Sequence, residues 1–191
     1  MAASTLALSK VHPAWLALFP DDFAEAASIL DQLNTLEKFA PSIEQVFRVF
    51  ESAPETVKVV LVGQDPYPTL GDANGLAFSV DRGGNLPKSL QNLFKELQDD
   101  LGVARKDGDL TDWQNQGIFL INRVLTVPIG KAHGHKHLGW QALTEKVISY
   151  LAKQGAIGLL LGNSAQELAP HFKDYVAAPH PSPLSAYRGF F

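Results

Sequence analysis

Four short apolar runs constrain this chain more than any other feature. VKVVLVG at 57–63, GIFLINRV at 117–124, AIGLLLG at 156–162 and YVAAPH at 175–180 are each of strand length. Helical patterns separate them. Runs with so little polar alternation suit strands covered on both faces, as in parallel sheets whose crossovers are helices. The expected fold class is α/β, a three-layer α/β/α sandwich with a central four-stranded parallel sheet. At 191 residues the chain fits one domain, with a helical N-terminal part at 1–56 and an α/β core at 57–191.

The helices follow from spacing and caps. Asp21 is expected to cap a helix carrying Phe23, Ala26, Ala27, Leu30 and Leu33 on one face. Ser42-Ile43-Glu44-Gln45 has the form of a capping box, with apolar residues at 43, 46, 47 and 50, and predicts a second amphipathic helix. Leu90, Leu93, Phe94, Leu97 and Leu101 share one face of a helix over 89–101 that Gly102 stops. Leu143, Val147, Ile148 and Leu151 do the same over 140–153. GLAFSV at 75–80 reads as a weaker extended segment, and 165–172 as a short helix.

Composition narrows the chemistry. The chain has no cysteine, which excludes disulfides, cysteine zinc sites, iron–sulfur clusters and a thiol nucleophile. No apolar run reaches the roughly 20 residues of a membrane span. The first residues lack the basic start and long apolar stretch of a signal peptide, so a cytoplasmic protein is expected. The net charge of −4 argues at first against nucleic acid. Its distribution is uneven, however. Residues 1–57 carry three basic and eight acidic groups, whereas residues 113–191 carry seven basic and three acidic ones and five of the six histidines. Local charge is what a partner meets within a Debye length of about 8–10 Å.

In open parallel sheets, ligands bind outside the carboxyl ends of the strands. Here those ends read Gly63-Gln64-Asp65-Pro66-Tyr67-Pro68, Asn122-Arg123, Gly162-Asn163-Ser164 and His180-Pro181-Ser182-Pro183-Leu184-Ser185. One carboxylate, one amide and one imidazole would therefore meet at one edge. Each has a plainer reading taken singly: Asp65 as a turn former, Asn122 as a partner for buried backbone, His180 as an idle loop histidine, Tyr67 and Phe78 as core aromatics. Their convergence favours a site. His133, His135 and His137 form His-x-His-x-His, which reads as a polar surface loop rather than a metal site because no cysteine or carboxylate adjoins it. There is no Gly-x-Gly-x-x-Gly, Walker loop or Gly-x-Ser-x-Gly.

At these residues the sequence resembles the family 1 uracil-DNA glycosylases. The matching segments are GQDPYP at 63–68, GLAFSV at 75–80, SLQNLFKEL at 89–97, GIFLINRVLTV at 117–127, GW at 139–140 and HPSPLSAYRGFF at 180–191. The resemblance implies removal of uracil from single- or double-stranded DNA, leaving an abasic site, with no metal and no cofactor. It implies that Asp65 stabilises the sugar cation and guides water, and that His180 acts as a neutral imidazole toward uracil O2. It gives base recognition to Asn122, a steric block at the thymine methyl to Tyr67, ring stacking to Phe78 and main-chain base contacts to Gln64. Leu184 matches the wedge that fills the gap left by the flipped nucleotide. Ser89, Ser182, Gly162, Asn163, His135 and Arg188 fall on the expected DNA path, with Lys88, Lys131 and Lys136 nearby. A monomer is expected, together with sensitivity to phage-encoded protein inhibitors that mimic DNA.

The chain departs from the family pattern in places. The family's usual motif ends in His, and here that position is Pro68. Its Pro-Pro-Ser reads Pro87-Lys88-Ser89, and its Gly-Ser turn reads Gly162-Asn163. Family members continue past RGFF, so a chain stopping at Phe191 is read as naturally short or trimmed. The rival to the enzyme is a non-catalytic binder of damaged DNA or nucleotides on the same fold. A third reading keeps catalysis but widens it to other damaged bases, against which Tyr67 and Asn122 argue.

Overall fold

The computed structural model describes residues 2–191. Three helices come first: α1 (Ala3–Leu8), α2 (Pro13–Leu18) and α3 (Pro20–Leu36). In α3, Phe23, Ala26, Ala27, Leu30 and Leu33 are buried, as their spacing predicts. Asp21 does not cap it. Pro20 takes the first helical position, where its missing N–H costs nothing, and Phe19 becomes the N-cap. Asp21 and Asp22 instead lie in the first turn, where carboxylates meet the positive end of the helix dipole.

The helix expected from Ser42 is not formed. A short strand β1 (Phe39–Ala40) is followed by three 3₁₀ turns, Ile43–Gln45, Arg48–Glu51 and Pro54–Thr56. The Ser42 hydroxyl donates to Gln45 Oε1, 3.1 Å away, rather than accepting from a main-chain N–H. The physical reason is tertiary hydrogen bonding around a buried segment. Val46, Phe47, Val49 and Phe50 are all inside, and carbonyls that a helix would use are taken by distant donors: Gln114 Nε2 reaches Arg48 O and Val49 O, and His12 N–H donates to Phe50 O at 2.8 Å.

The sheet contains β2 (Val59–Gly63), β3 (Ile118–Asn122), β5 (Ile157–Leu161) and β6 (Tyr175–Ala178), in the order β3-β2-β5-β6 and parallel throughout. This is the expected central sheet, except that β6, an edge strand, leaves Tyr175, Val176 and Ala177 exposed instead of covered on both faces. Between β2 and β3 lie α4 (Lys88–Leu101) and α5 (Thr111–Asn115). Gly102, at φ +68°, ends α4 in the left-handed conformation. After β3, strand β4 (Val127–Pro128) pairs antiparallel with β1, tying the N-terminal part to the core. Helix α6 (Trp140–Lys153) leads to β5, which is followed by α7 (Asn163–Gln166). The chain leaves β2 first toward β3 on one side and later returns to β5 on the other. That reversal opens a crevice at the carboxyl end of β2.

Two more segments differ from expectation. Residues 75–80 make no strand. Ala77 N–H donates to Leu120 O at 2.9 Å, a single bond that covers the outer edge of β3 without extending the sheet. The helix expected over 165–172 is broken into α7 and a 3₁₀ turn at Ala169–His171. Pro170 lacks the N–H a continuous helix requires and clashes with the carbonyl four residues back.

One aromatic core joins the N-terminal helices to the sheet. Trp15 packs against Phe50 and Phe119 with ring centroids 5.7 and 5.4 Å apart, and its Nε1–H donates to Ser52 O at 2.8 Å. Trp140 is equally buried, and its Nε1–H donates to Thr126 Oγ1. The boundary near residue 56 is a change of pattern, not a division of the core. Among the described residues, no helix is long and apolar enough to cross a membrane.

Candidate active site

The loop after β2, the end of β3, the 73–79 segment and the loop after β6 enclose one cavity of about 370 Å³. That is within the usual range for small-ligand sites. Of the residues expected at a site, Gln64, Asp65, Tyr67, Phe78, Ser89, Asn122, His180, Ser182 and Leu184 all line it.

Asn122 is the last residue of β3 and pairs in register with Gly63 on β2. A Cβ at Gly63 would lie 2.2 Å from Asn122 Oδ1, so the glycine leaves the space that the amide occupies. Asn122 is only 8% exposed. Its amide makes no side-chain hydrogen bond within the described residues and faces the cavity. A buried amide with both donor and acceptor free is costly unless a ligand completes it.

Phe78 and Tyr67 shape the walls. Phe78 adopts φ +64°, a region that residues with a Cβ avoid at a cost of about 1–2 kcal/mol. A network holds it there. Ser79 Oγ donates to Gly108 O and accepts from Asn74 Nδ2 and Leu110 N–H. Arg48 donates to Asn74 O and Thr111 Oγ1. The Tyr67 hydroxyl donates to Phe78 O at 3.1 Å and lies 3.0 Å from Ser89 Oγ. Burial pushes that hydroxyl's pKa well above the ordinary tyrosine range. Ser89 has a structural tie as well. It is buried and braces Tyr67 from the first turn of α4.

The state of His180 can be deduced from its neighbours. Its Nδ1 lies 3.0 Å from Ser182 N–H, which can only donate, so Nδ1 accepts and Nε2 carries the proton. Burial holds the imidazole pKa below the usual value, against the opposing pull of Asp65, and His133 adds to the lowering. His180 is thus a neutral N–H donor at neutral pH. Its ring lies 5.6 Å from that of Phe78. Gly162 permits this approach, since a Cβ there would come within 2.9 Å of His180 Cβ.

The loop after His180 is braced from inside. Ser185 Oγ donates to His180 O, Ser182 Oγ bonds Ser185 Oγ, and Asn92 Nδ2 donates to Pro181 O. On this frame Leu184 stands 86% exposed at the cavity mouth. Gly162, Asn163 and Arg188 line an adjoining shallow groove together with Gln64, His180 and Ser185. The Gly162 N–H is not free, because it donates to Ala178 O at 2.8 Å. The N–H groups of Asn163, Ser164 and Ala165, in the first turn of α7, are the ones without an intrahelical partner. Arg123 pairs with Glu145 and Glu167 and donates to Ser164 O, fixing this loop to the end of β3.

The histidine-rich loop is a correction. His135 was expected on the DNA path but is 2% exposed. Its ring is bonded to Thr126 Oγ1 at 2.8 Å and Glu37 Oε1 at 3.0 Å, a structural role that leaves no nitrogen for DNA. His133 is the one that lines the cavity, beside Asp65, and His137 is exposed. Among the described residues, no three such side chains come together to hold a metal ion.

Fold and cavity define an α/β/α protein that gathers the Asp65 carboxylate, the neutral His180 imidazole and the Asn122 amide in one cavity at the switch point of a parallel sheet. The pattern of relatives agrees with that geometry. Residues 50–190 match the family model described as the uracil DNA glycosylase superfamily. A uracil-DNA glycosylase of Ruegeria sp. is 47% identical over 157 residues, covering 79% of this chain and 67% of that protein. One of Corynebacterium efficiens is 42% identical over 193 residues, covering 95% and 81%. The crystal structure of mimivirus uracil-DNA glycosylase superposes with a TM-score of 0.84 at 28% identity, covering 97% of this chain and 73% of that one. The chain belongs to the uracil DNA glycosylase superfamily.

Proposed function

We propose that this protein is a uracil-DNA glycosylase that hydrolyses the N-glycosidic bond of deoxyuridine in DNA, initiating base excision repair. The observation that carries the reading is the Asn122 amide, buried and without a side-chain hydrogen bond among the described residues, in a cavity it shares with Asp65 and the His180 N–H.

The geometry suits the reaction. A uracil ring stacked on Phe78 turns its N3–H and O4 edge to Asn122, whose carbonyl accepts and whose NH₂ donates. Cytosine presents the opposite pattern there, and a site that leaves buried polar groups unpaired rejects the wrong base strongly. Tyr67, fixed by Phe78 O and Ser89, forms a wall against a methyl at C5. As the bond from N1 to C1′ breaks, negative charge grows on uracil O2, where the His180 Nε2–H donates. One such preorganised donor is worth roughly 10²–10³ in rate. Positive charge grows on the sugar, where the Asp65 carboxylate faces it. One water is consumed. Its hydroxyl ends on C1′ and its proton on uracil.

The reacting bond lies inside the duplex stack, so the nucleotide must leave it. Leu184 fills the gap. Ser182, Asn163, the first-turn N–H groups of α7 and Arg188 hold the phosphates, mostly through neutral donors, which explains how a chain of net charge −4 binds DNA. The same face is where a phage-encoded protein inhibitor would dock. A tyrosine variant of mimivirus UNG, 28% identical to this chain, has been solved in complex with UGI, which supports that reading. A monomer working as one catalytic domain in the cytoplasm completes the proposal.

The test is incubation with an oligonucleotide carrying one uracil, followed by alkali. Strand breakage at the former uracil is expected. An intact strand, with or without protein bound, would overturn the reading in favour of a non-catalytic binder.

A further inference from the structure

Only two non-glycine residues among those described have a positive φ, Phe78 and His133 at +61°, and both line the cavity. Strained backbone of this kind persists where the surroundings impose it. For Phe78 the network around Ser79 is the cause. For His133 the cause is contact with the loop after β2, and that contact falls on Asp65.

The His133 main-chain N–H donates to Asp65 Oδ2 at 2.7 Å. Within the described residues, no other hydrogen bond reaches the Asp65 carboxylate. The His133 ring lies on the other oxygen, with Nδ1 3.5 Å from Asp65 Oδ1. The same Nδ1 is 2.9 Å from Gln64 Nε2, an amide donor, so in the neutral ring Nδ1 accepts and the proton sits on Nε2. One residue therefore touches both Gln64 and Asp65. A second tie steadies the arrangement, because Gly130 N–H donates to Pro68 O at 2.8 Å. The loop after β4 thus clamps the loop after β2 at two places, one at Gln64 and Asp65 and the other at Pro68.

A carboxylate that must meet a sugar cation is useful only in one orientation. Free rotation about its side-chain torsions would spread Asp65 over several positions, and misplacement by about 1 Å can cost 10²-fold. Pro68, three residues on, has no polar side chain with which to hold it. We propose that His133 is the positioning residue for Asp65, fixing Oδ2 through its N–H and confining Oδ1 and Gln64 through its ring. This rests on the reading that Asp65 serves uracil release.

Three variants test it by steady-state uracil release, with thermal melting to verify folding. His133→Gly accepts the positive φ and keeps the N–H but loses the ring. It should lower kcat by roughly 10- to 100-fold while KM stays within about threefold. His133→Asn also tolerates the conformation and restores an acceptor for Gln64 Nε2. It should bring kcat back to within about threefold of the parent. His137→Ala, exposed in the same loop, should match the parent. Parent-like kcat in His133→Gly would overturn the proposal, as would a loss confined to KM, which would make His133 a DNA contact. Failure of His133→Asn to recover would overturn it too. If the parent protein itself releases no uracil, the functional reading fails instead, and the two failures are separable in one experiment.

Discussion

Replacing Gly63 by alanine isolates the part of the site on which base recognition depends. Gly63 ends β2 directly opposite Asn122 in the parallel register. An added Cβ would lie 2.2 Å from Asn122 Oδ1 and 3.1 Å from Ala77 Cβ. The first contact is impossible, and the second blocks retreat of Gly63 to the other side. The Gly63 carbonyl is also held, accepting from Arg123 N–H at 3.1 Å. The amide of Asn122 must give way by about 1 Å, and a shift of that size costs on the order of 10² in rate. Overpacking of a buried site costs about 1–3 kcal/mol in stability. At roughly 2–4 °C per kcal/mol for a chain of this size, the melting temperature should fall by only a few degrees to about ten. Single-turnover release of uracil at a temperature where the variant is folded measures the catalytic part. A double-mutant cycle sharpens the result. Once Asn122→Ala has removed the amide, adding Gly63→Ala should cost little more, because the two act on one group. A Gly63→Ala enzyme with parent-like rate, or costs that simply add, would refute the claim that Gly63 exists to make room for Asn122.

Other outcomes follow from the same geometry. Because burial holds the His180 pKa below its ordinary value, the neutral donor persists to lower pH, and the acid limb of kcat/KM should lie below about 6.5. The stability linked to His180 has the same sign: it is full above the unfolded value, about 6.5, and is lost as pH falls through the folded pKa, because the unfolded chain then binds the extra proton. An acid limb above that value would contradict the assignment. Asp65→Asn and His180→Gln should each lower kcat by about two or more orders of magnitude with small changes in melting temperature, and near-parent rates in both would reject their roles. Leu184→Ala should leave stability unchanged, since the side chain is exposed, yet slow excision from duplex DNA several-fold more than from single strands. Equal effects on both substrates would remove the wedge from the account.

The sheet and its two 14-residue helices were legible because their signals were long and unopposed. Each strand was a continuous apolar run, and α4 and α6 carried amphipathic patterns with glycine stops, although of the face expected on α4 only Leu90 and Phe94 are fully buried and Leu101 is exposed. The segments that misled were those where local pattern and tertiary packing disagree. Ser42–Gln45 has the letters of a capping box, but Gln114 and His12 claim the carbonyls of Arg48, Val49 and Phe50 from far along the chain. Residues 75–80 look extended, yet their task is to place Phe78 in a conformation no strand allows. Within the site, the groups at strand ends were found because parallel topology dictates where those ends meet. His133 was missed for the opposite reason. Three alternating histidines in an irregular loop carry no period that says which faces inward. The turn at 130–134 put His133 on Asp65 and buried His135 between Thr126 and Glu37. The signal was present in the loop's glycines, Gly130 and Gly134, which flank a tight turn, but only the fold shows what that turn faces.

The most direct test compares base release from otherwise identical oligonucleotides carrying uracil, cytosine or thymine at one position, with free bases identified by chromatography. The account predicts free uracil and an alkali-labile site from the first substrate alone, because Asn122 pairs with the uracil edge and Tyr67 closes the slot to a methyl. Release of cytosine or thymine at a comparable rate, or retention of uracil in its strand, would contradict it.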